Sequence, residues 1–354
     1  MLAQDLGDWR GWAGLFLIAG GLLLLIVVAI ILVIIRGYLK RVCKYLWSTK
    51  YRRLGVIITS VIIIMVVVST VTWKQYQATL NILHYDGGEW SLVSSDTEER
   101  LDGIWGSSAN DIFAVGARGT IVHYNGRVWK HMSNNNRLSL ADIWGNSPSD
   151  IFTVGVGGVI LHYDGNAWNE MNSSTTRSLT GVWGTSTSDI FAVGDKGTIL
   201  HYNGIAWNQM FSGTQENLTS VWGTSSSDVF AVGAKDTILH FDGQNWKRMS
   251  SNTQKNLADI WGNSPSDVFA IGLGGTILHY DGTTWNKMNS ETTVILQSIY
   301  GSSPSDVYAV GYGNTIMHYN GIVWSKVNIN SEWKWVLLSV WCSSASDIFI
   351  VGRK

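Results

Sequence analysis

The stretch from Leu218 to Met249, "LTSVWGTSSSDVFAVGAKDTILHFDGQNWKRM", decides the fold. It holds four short runs, "LTSVWG", "DVFAVG", "TILHFDG" and "NWKRM". Each is rich in β-branched and aromatic residues, and Gly, Asn, Asp or Ser stands at every break, which is the signature of strands joined by tight turns. We call these strands a, b, c and d. Outward from this copy, the tryptophan of strand a recurs every thirty-nine residues, at Trp105, Trp144, Trp183, Trp222 and Trp261. It becomes Tyr300 and returns at Trp341 after a two-residue insertion. The Asp that opens strand b keeps phase at Asp111, Asp150, Asp189, Asp228, Asp267, Asp306 and Asp347. So does the His of strand c, at His84, His123, His162, His201, His240, His279 and His318. Four strands in a repeat of about forty residues make a β-propeller blade.

The chain ends explain the count of blades. The first phrase of the repeat region, "NILHYDGGEWSLV" from Asn81, is strands c and d alone, and the last, "LLSVWCSSASDIFIVGRK" from Leu337, is strands a and b alone. Together they complete a seventh blade, a velcro closure that removes the open sheet edges. The expected class is therefore all-β, a seven-bladed propeller over residues 82–354.

This repeat resembles that of the BNR or Asp-box-like propellers, and especially the photosystem II assembly factor family, whose repeats share a "VG..G.I...DGG..W" rhythm. The resemblance covers about three quarters of the chain and implies the propeller fold. The chain departs from the Asp-box pattern, because "HYDGTTW" places Gly282 directly after Asp281. An assembly role is what the likeness implies, and no site residue carries over.

Before Trp73 the composition is different. Residues 11–35, "GWAGLFLIAGGLLLLIVVAIILVII", and 54–73, "LGVIITSVIIIMVVVSTVTW", are uncharged and each exceeds the roughly 18 apolar residues of a membrane span. Two transmembrane helices are expected, within an anchor of residues 1–73. A signal peptide is excluded for the first by its length and by the lack of a basic leader. The intervening loop 36–53 carries Arg36, Lys40, Arg41, Lys44, Lys50, Arg52 and Arg53 and no acid, which assigns it to the cytoplasm of a bacterial inner membrane. The N-terminus and the propeller then lie outside. Cys43 in that loop is available for acylation, with an idle thiol the plainer reading.

A formal net charge of −1 offers no basic face and excludes nucleic acid as the expected partner. Two cysteines make neither a disulfide framework nor a thiolate metal site. The seven histidines stand on seven different strands c, away from the axis, so they do not converge on one ion; no metal and no cofactor is expected. The strand-a tryptophans fill the wedge between blades. The Asp opening strand b is expected to cap its own Ser-rich turn. Only Asp142 and Asp259 break the repeat with an acid on strand a, from blades three apart, and are read as solvated channel-mouth residues. No catalytic motif is present, and an enzyme is not expected, with a glycan-active hydrolase as the third reading.

In an antiparallel blade the b–c turns and d–a loops share one face. That face varies between repeats, whereas the other repeats "WGxSxSD" and "YDG" or "YNG", so recognition is assigned to the varied face. Its candidates are Arg118, Lys196, Lys235 and Tyr312 in the b–c turns, and Trp333, Lys334 and Trp335 in the insertion. A tether of residues 74–81 spans at most about 30 Å, which keeps this face near the bilayer. The leading expectation is a membrane-anchored, extracytoplasmic, protein-binding accessory or assembly subunit of a membrane complex. The alternative is a lectin-like propeller that stacks sugars on Trp333 or Trp335.

Overall fold

The computed structural model describes residues 60–69, 80–329 and 335–353. The chain divides into two units, Met1–Trp73 and Lys74–Lys354. Residues 60–69 are helical and fall within the second expected span. The remainder of both expected spans, the basic loop, Trp333 and Lys334 lie outside the described residues. Among the described residues no helix is long and apolar enough to cross a membrane.

The second unit is all-β, with seven four-stranded antiparallel sheets. Blades 1 to 6 begin at Leu101, Leu140, Leu179, Leu218, Leu257 and Leu296. In each, strands a to d pair in chain order. The seventh sheet joins the two ends of the repeat region: the strands Leu80–Tyr85 and Trp90–Ser94 pair beside Val336–Ser344 and Asp347–Arg353. Its central register sets His84 against Phe349, as His201 is set against Phe191 within blade 3.

Alternation places one side of each strand against the next blade. The strand-b phenylalanines Phe113, Phe152, Phe191, Phe230, Phe269 and Phe349 are among the largest fully buried side chains. A strand-d tryptophan from the following blade meets several of them edge-on, as Trp246 meets Phe191 at 6.2 Å and Trp285 meets Phe230 at 6.3 Å. Strand a has its own seam. A Cβ added at Gly145 would lie 2.5 Å from the Trp105 ring, and one at Gly262 would lie 2.5 Å from Trp222. Thus the indole of one blade occupies the place a side chain would take on the next, and the "WG" phrase is a packing unit shared between neighbours.

Candidate interaction surface

The repeated polar residues are bound into the blades. Each strand-c histidine directs Nε2 at the Asp that opens strand b of its sheet, at 2.6 Å for His123 with Asp111 and His201 with Asp189, and 2.7 Å for His162 with Asp150, His240 with Asp228 and His279 with Asp267. His84 with Asp347 and His318 with Asp306 stand at 2.8 Å. The ring lies against the strand-b aromatic, with centroids 4.2 Å apart for Phe113 and His123. In five blades a Ser or Thr hydroxyl four residues before the Asp donates to its other oxygen, as in Ser107 to Asp111 at 2.5 Å and in Thr185 to Asp189; Asn146 and Asn263 take that place before Asp150 and Asp267. This corrects the expectation that the Asp caps its own turn. Backbone capping falls to the Asp or Asn of the c–d turn: Asp164 Oδ1 accepts from Asn166 and Ala167 N–H, both at 2.9 Å. Among the described residues no group of three or more His, Cys, Asp or Glu gathers as a metal site.

Asp142 and Asp259 are half-buried seam residues, not solvated ones. Their position on strand a points across to the next blade. Asp142 accepts Val182 N–H through Oδ2 and its neighbour Ile143 N–H through Oδ1, each at 2.9 Å. Asp259 accepts Ile299 N–H at 2.8 Å, Ile260 N–H at 2.9 Å and the Ser220 hydroxyl at 2.6 Å. The two carboxylates therefore satisfy strand-edge donors on the inner ring, which would otherwise be unpaired. Burial pushes Asp142 up to about 7, and the Asp259 charge adds to the rise. Burial raises Asp259 as well, against the hydrogen bonds from Ser220 and Ile299. With every oxygen engaged in seam bonds, the pair is not arranged as a nucleophile and an acid.

The varied face has a common skeleton that sequence reading missed. In five d–a loops a buried serine, Ser95, Ser173, Ser212, Ser251 or Ser290, precedes a residue of positive φ. That residue is Asp96, Ser174, Gly213, Asn252 or Glu291. A threonine follows, and its hydroxyl accepts the N–H two residues on, at 3.1 Å for Thr175 with Arg177 and Thr214 with Glu216. In these five loops the varied residues are carried on a shared turn.

The b–c turns do the same with larger consequence. Their tips are Arg118 (φ 55°), Lys196 (φ 53°) and Lys235 (φ 50°), where sister turns use Gly157 and Gly274. The left-handed region costs a non-glycine residue on the order of 1 kcal/mol. Three long cations therefore occupy positions where glycine is less costly, and their side chains project from the face. Tyr312 is different: it forms a bridge with Val336 and is half-buried, and the tip beside it is Gly313. Trp335 is corrected more sharply. Its N–H donates to Asn314 Oδ1 at 2.6 Å, and its side chain is only 3 % exposed, within a core cluster holding Tyr308, Val310 and Leu337. The backbone pin turns the indole inward, so it is a core residue and not a surface anchor.

No protein-family model matches the chain, and no curated protein matches it. Solved structures do. A structure described as YCF48 bound to D1 peptide is similar with a TM-score of 0.61 and 14% identity, over 72% of this chain and 91% of that one. YCF48 from Cyanidioschyzon merolae gives 0.61 and 15%, over 75% and 97%. The WD40 β-propeller domain of Doa1 gives 0.60 and 14%, over 77% and 93%. YCF48 is a photosystem II assembly factor, so the likeness read from the repeat rhythm is matched by likeness in structure, and the chain shares the seven-bladed propeller fold with these proteins.

Proposed function

We propose that this chain is a membrane-anchored, extracytoplasmic propeller that binds protein through its b–c and d–a face, as an accessory or assembly subunit of a membrane complex. The observation that carries the reading is the set of cations at left-handed turn tips. Arg118, Lys196 and Lys235 stand where Gly157 and Gly274 make the same turn more cheaply, and strain retained at a surface tip is a mark of function. The peptide in the YCF48 complex supports a polypeptide as the ligand. The anchor is supported by the two uncharged stretches and the basic loop between them. Residues 60–69 are helical, and Ile63, Ile64 and Met65 there are more than half exposed, which suits a lipid surround. The sequence between anchor and propeller, residues 74–81, spans at most about 30 Å. The carbohydrate reading loses Trp335 as a stacking platform, because that ring is buried.

The test is extraction from the membrane through a tag in the 36–53 loop, after crosslinking, with mass spectrometry of what co-purifies. Stoichiometric membrane subunits are expected. A free monomer that captures no protein overturns the reading.

A further inference from the structure

In four d–a loops the residue two positions after the turn threonine, or after Asn136 in its place, sits beside the b–c tip of the next blade. Two of these pairs are ion pairs across nineteen positions: Glu99 with Arg118 at 2.9 Å and Glu216 with Lys235 at 3.0 Å. Another is apolar, since a Cβ at Gly157 would touch Leu138 at 3.4 Å. At blade 3 the pair is Arg177 with Lys196. Arg177 Nη1 reaches the Lys196 carbonyl, across the same nineteen positions, and the Thr198 hydroxyl, each at 3.4 Å. Where two sister sites neutralise their cation with Glu, this one adds a second cation. Both side chains are exposed. Asp195 adjoins Lys196 in sequence, but no ion pair joins an acid to either cation among the described residues. Two cations on adjoining turns, neither paired with an acid, offer an arriving anion favourable Coulomb energy.

A cleft that recurs at the sister loop around Glu291 and one further departure from the repeat fall beside this pair. An open cleft of about 510 Å³ is lined by Asn172, Ser174, Thr175, Thr176, Arg177 and Gln209. Two residues beyond Gln209, and so on the same side of an extended segment, Phe211 is 90% exposed. The equivalent position is Ser133, Asn172, Ser250 or Asn289 in the blades on either side. We propose that this cleft binds a carboxylate of a polypeptide segment, with Arg177 and Lys196 on the carboxylate and Phe211 on an adjacent apolar side chain. The proposal rests on the reading of this face as protein-binding. Guanidinium matches a carboxylate through paired N–H donors. The amide and hydroxyl lining offers both donors and acceptors, as a peptide backbone requires. A solvent-exposed ring beside charge is the composition of an interface anchor. A polyanion such as nucleic acid would call for a broad basic surface, whereas the sister sites here are neutralised.

The experiment uses the full-length protein in detergent and a fluorescein-labelled, C-terminally amidated hexapeptide whose last residues are leucine and glutamate, read by anisotropy. Arg177→Glu recreates the Glu–cation pair of blades 1 and 4, so it keeps the fold, which thermal unfolding verifies. Binding is expected to weaken at least about tenfold in Arg177→Glu, and to weaken in Phe211→Ser. Replacing the peptide's glutamate with lysine is expected to abolish it. Unchanged affinity in Arg177→Glu, equal binding of the lysine peptide, or displacement by inorganic phosphate alone as effectively as by unlabelled peptide overturns the proposal. Crosslinked capture from membranes separates it from the broader reading. A membrane subunit recovered equally by wild type and Arg177→Glu removes this site and leaves a protein-binding face. No protein recovered by either removes both.

Discussion

Six seams between blades pack a strand-a tryptophan against a glycine of the next blade, and one does not. At the blade 6 to blade 7 seam the tryptophan is Tyr300 and the glycine is Cys342. Elsewhere a Cβ at the glycine would stand 2.5 to 3.0 Å from the indole, as at Gly145 and Gly184. Tyr300 has one ring fewer, and it packs against the cluster that contains Cys342. Burial pushes the Tyr300 hydroxyl up to about 12 and the Cys342 thiol up to about 12. A thiol so held stays protonated and acts as a small apolar filler. The difference teaches that "WG" is conserved between repeats for volume at the seam, since both members change where one changes.

The comparison breaks most severely if the ring is removed. Trp341→Ala, at a residue only 4 % exposed, is expected to cost about 3 to 5 kcal/mol, seen as a large fall in the unfolding midpoint. Next, Tyr300→Trp alone sets an indole against Cys342 and is expected to cost about 1 to 3 kcal/mol by overpacking. Tyr300→Trp with Cys342→Gly restores the ordinary seam, and a double-mutant cycle should return a favourable coupling of about 1 kcal/mol or more. Additive effects would show that the two changes are unrelated.

A third variant contrasts the inner ring with these apolar seams. Asp142 has its folded-state value raised to about 7 from 3.8, so between those values the folded protein holds more protons than the unfolded one. Stability should therefore fall as pH rises from about 4 to 7 and level off above. Asp142→Asn should flatten that part of the midpoint-against-pH curve, while Trp341→Ala lowers the curve without changing its shape. A slope identical in Asp142→Asn and wild type would refute the assignment. The smallest effect is expected at a turn tip. Lys196→Gly relieves left-handed strain and removes one of the two cations, so it should stabilise by up to about 1 kcal/mol while weakening peptide binding. A destabilised variant would mean that Lys196 serves the fold.

Much of this was legible before any coordinates. Period, strand order and the split seventh blade follow from "WG", "SD" and "HYDG" recurring in phase, since a repeat that cannot bury its own faces must stack on copies of itself. The pairing of each His with the Asp that opens strand b was not read. Both recur together in every unit, so nothing in the sequence marks them as partners until register sets strand c beside strand b. The burial of Trp335 was equally hidden, because an aromatic in a lengthened loop has the same composition whether it faces solvent or core; the hydrogen bond to Asn314 decides it.

By itself, the sequence determined the number and kind of strands, the closure of the repeat, and the contrast between an apolar leader and a Gly- and Ser-rich body, all of which depend on local pattern and period. The tertiary structure alone decided which side chains meet across seams and turns. It set Asp142 on Val182, Tyr300 near Cys342, and Arg177 beside Lys196. Those contacts join residues nineteen or about forty positions apart, and their chemistry depends on the volume and charge that folding brings to one place.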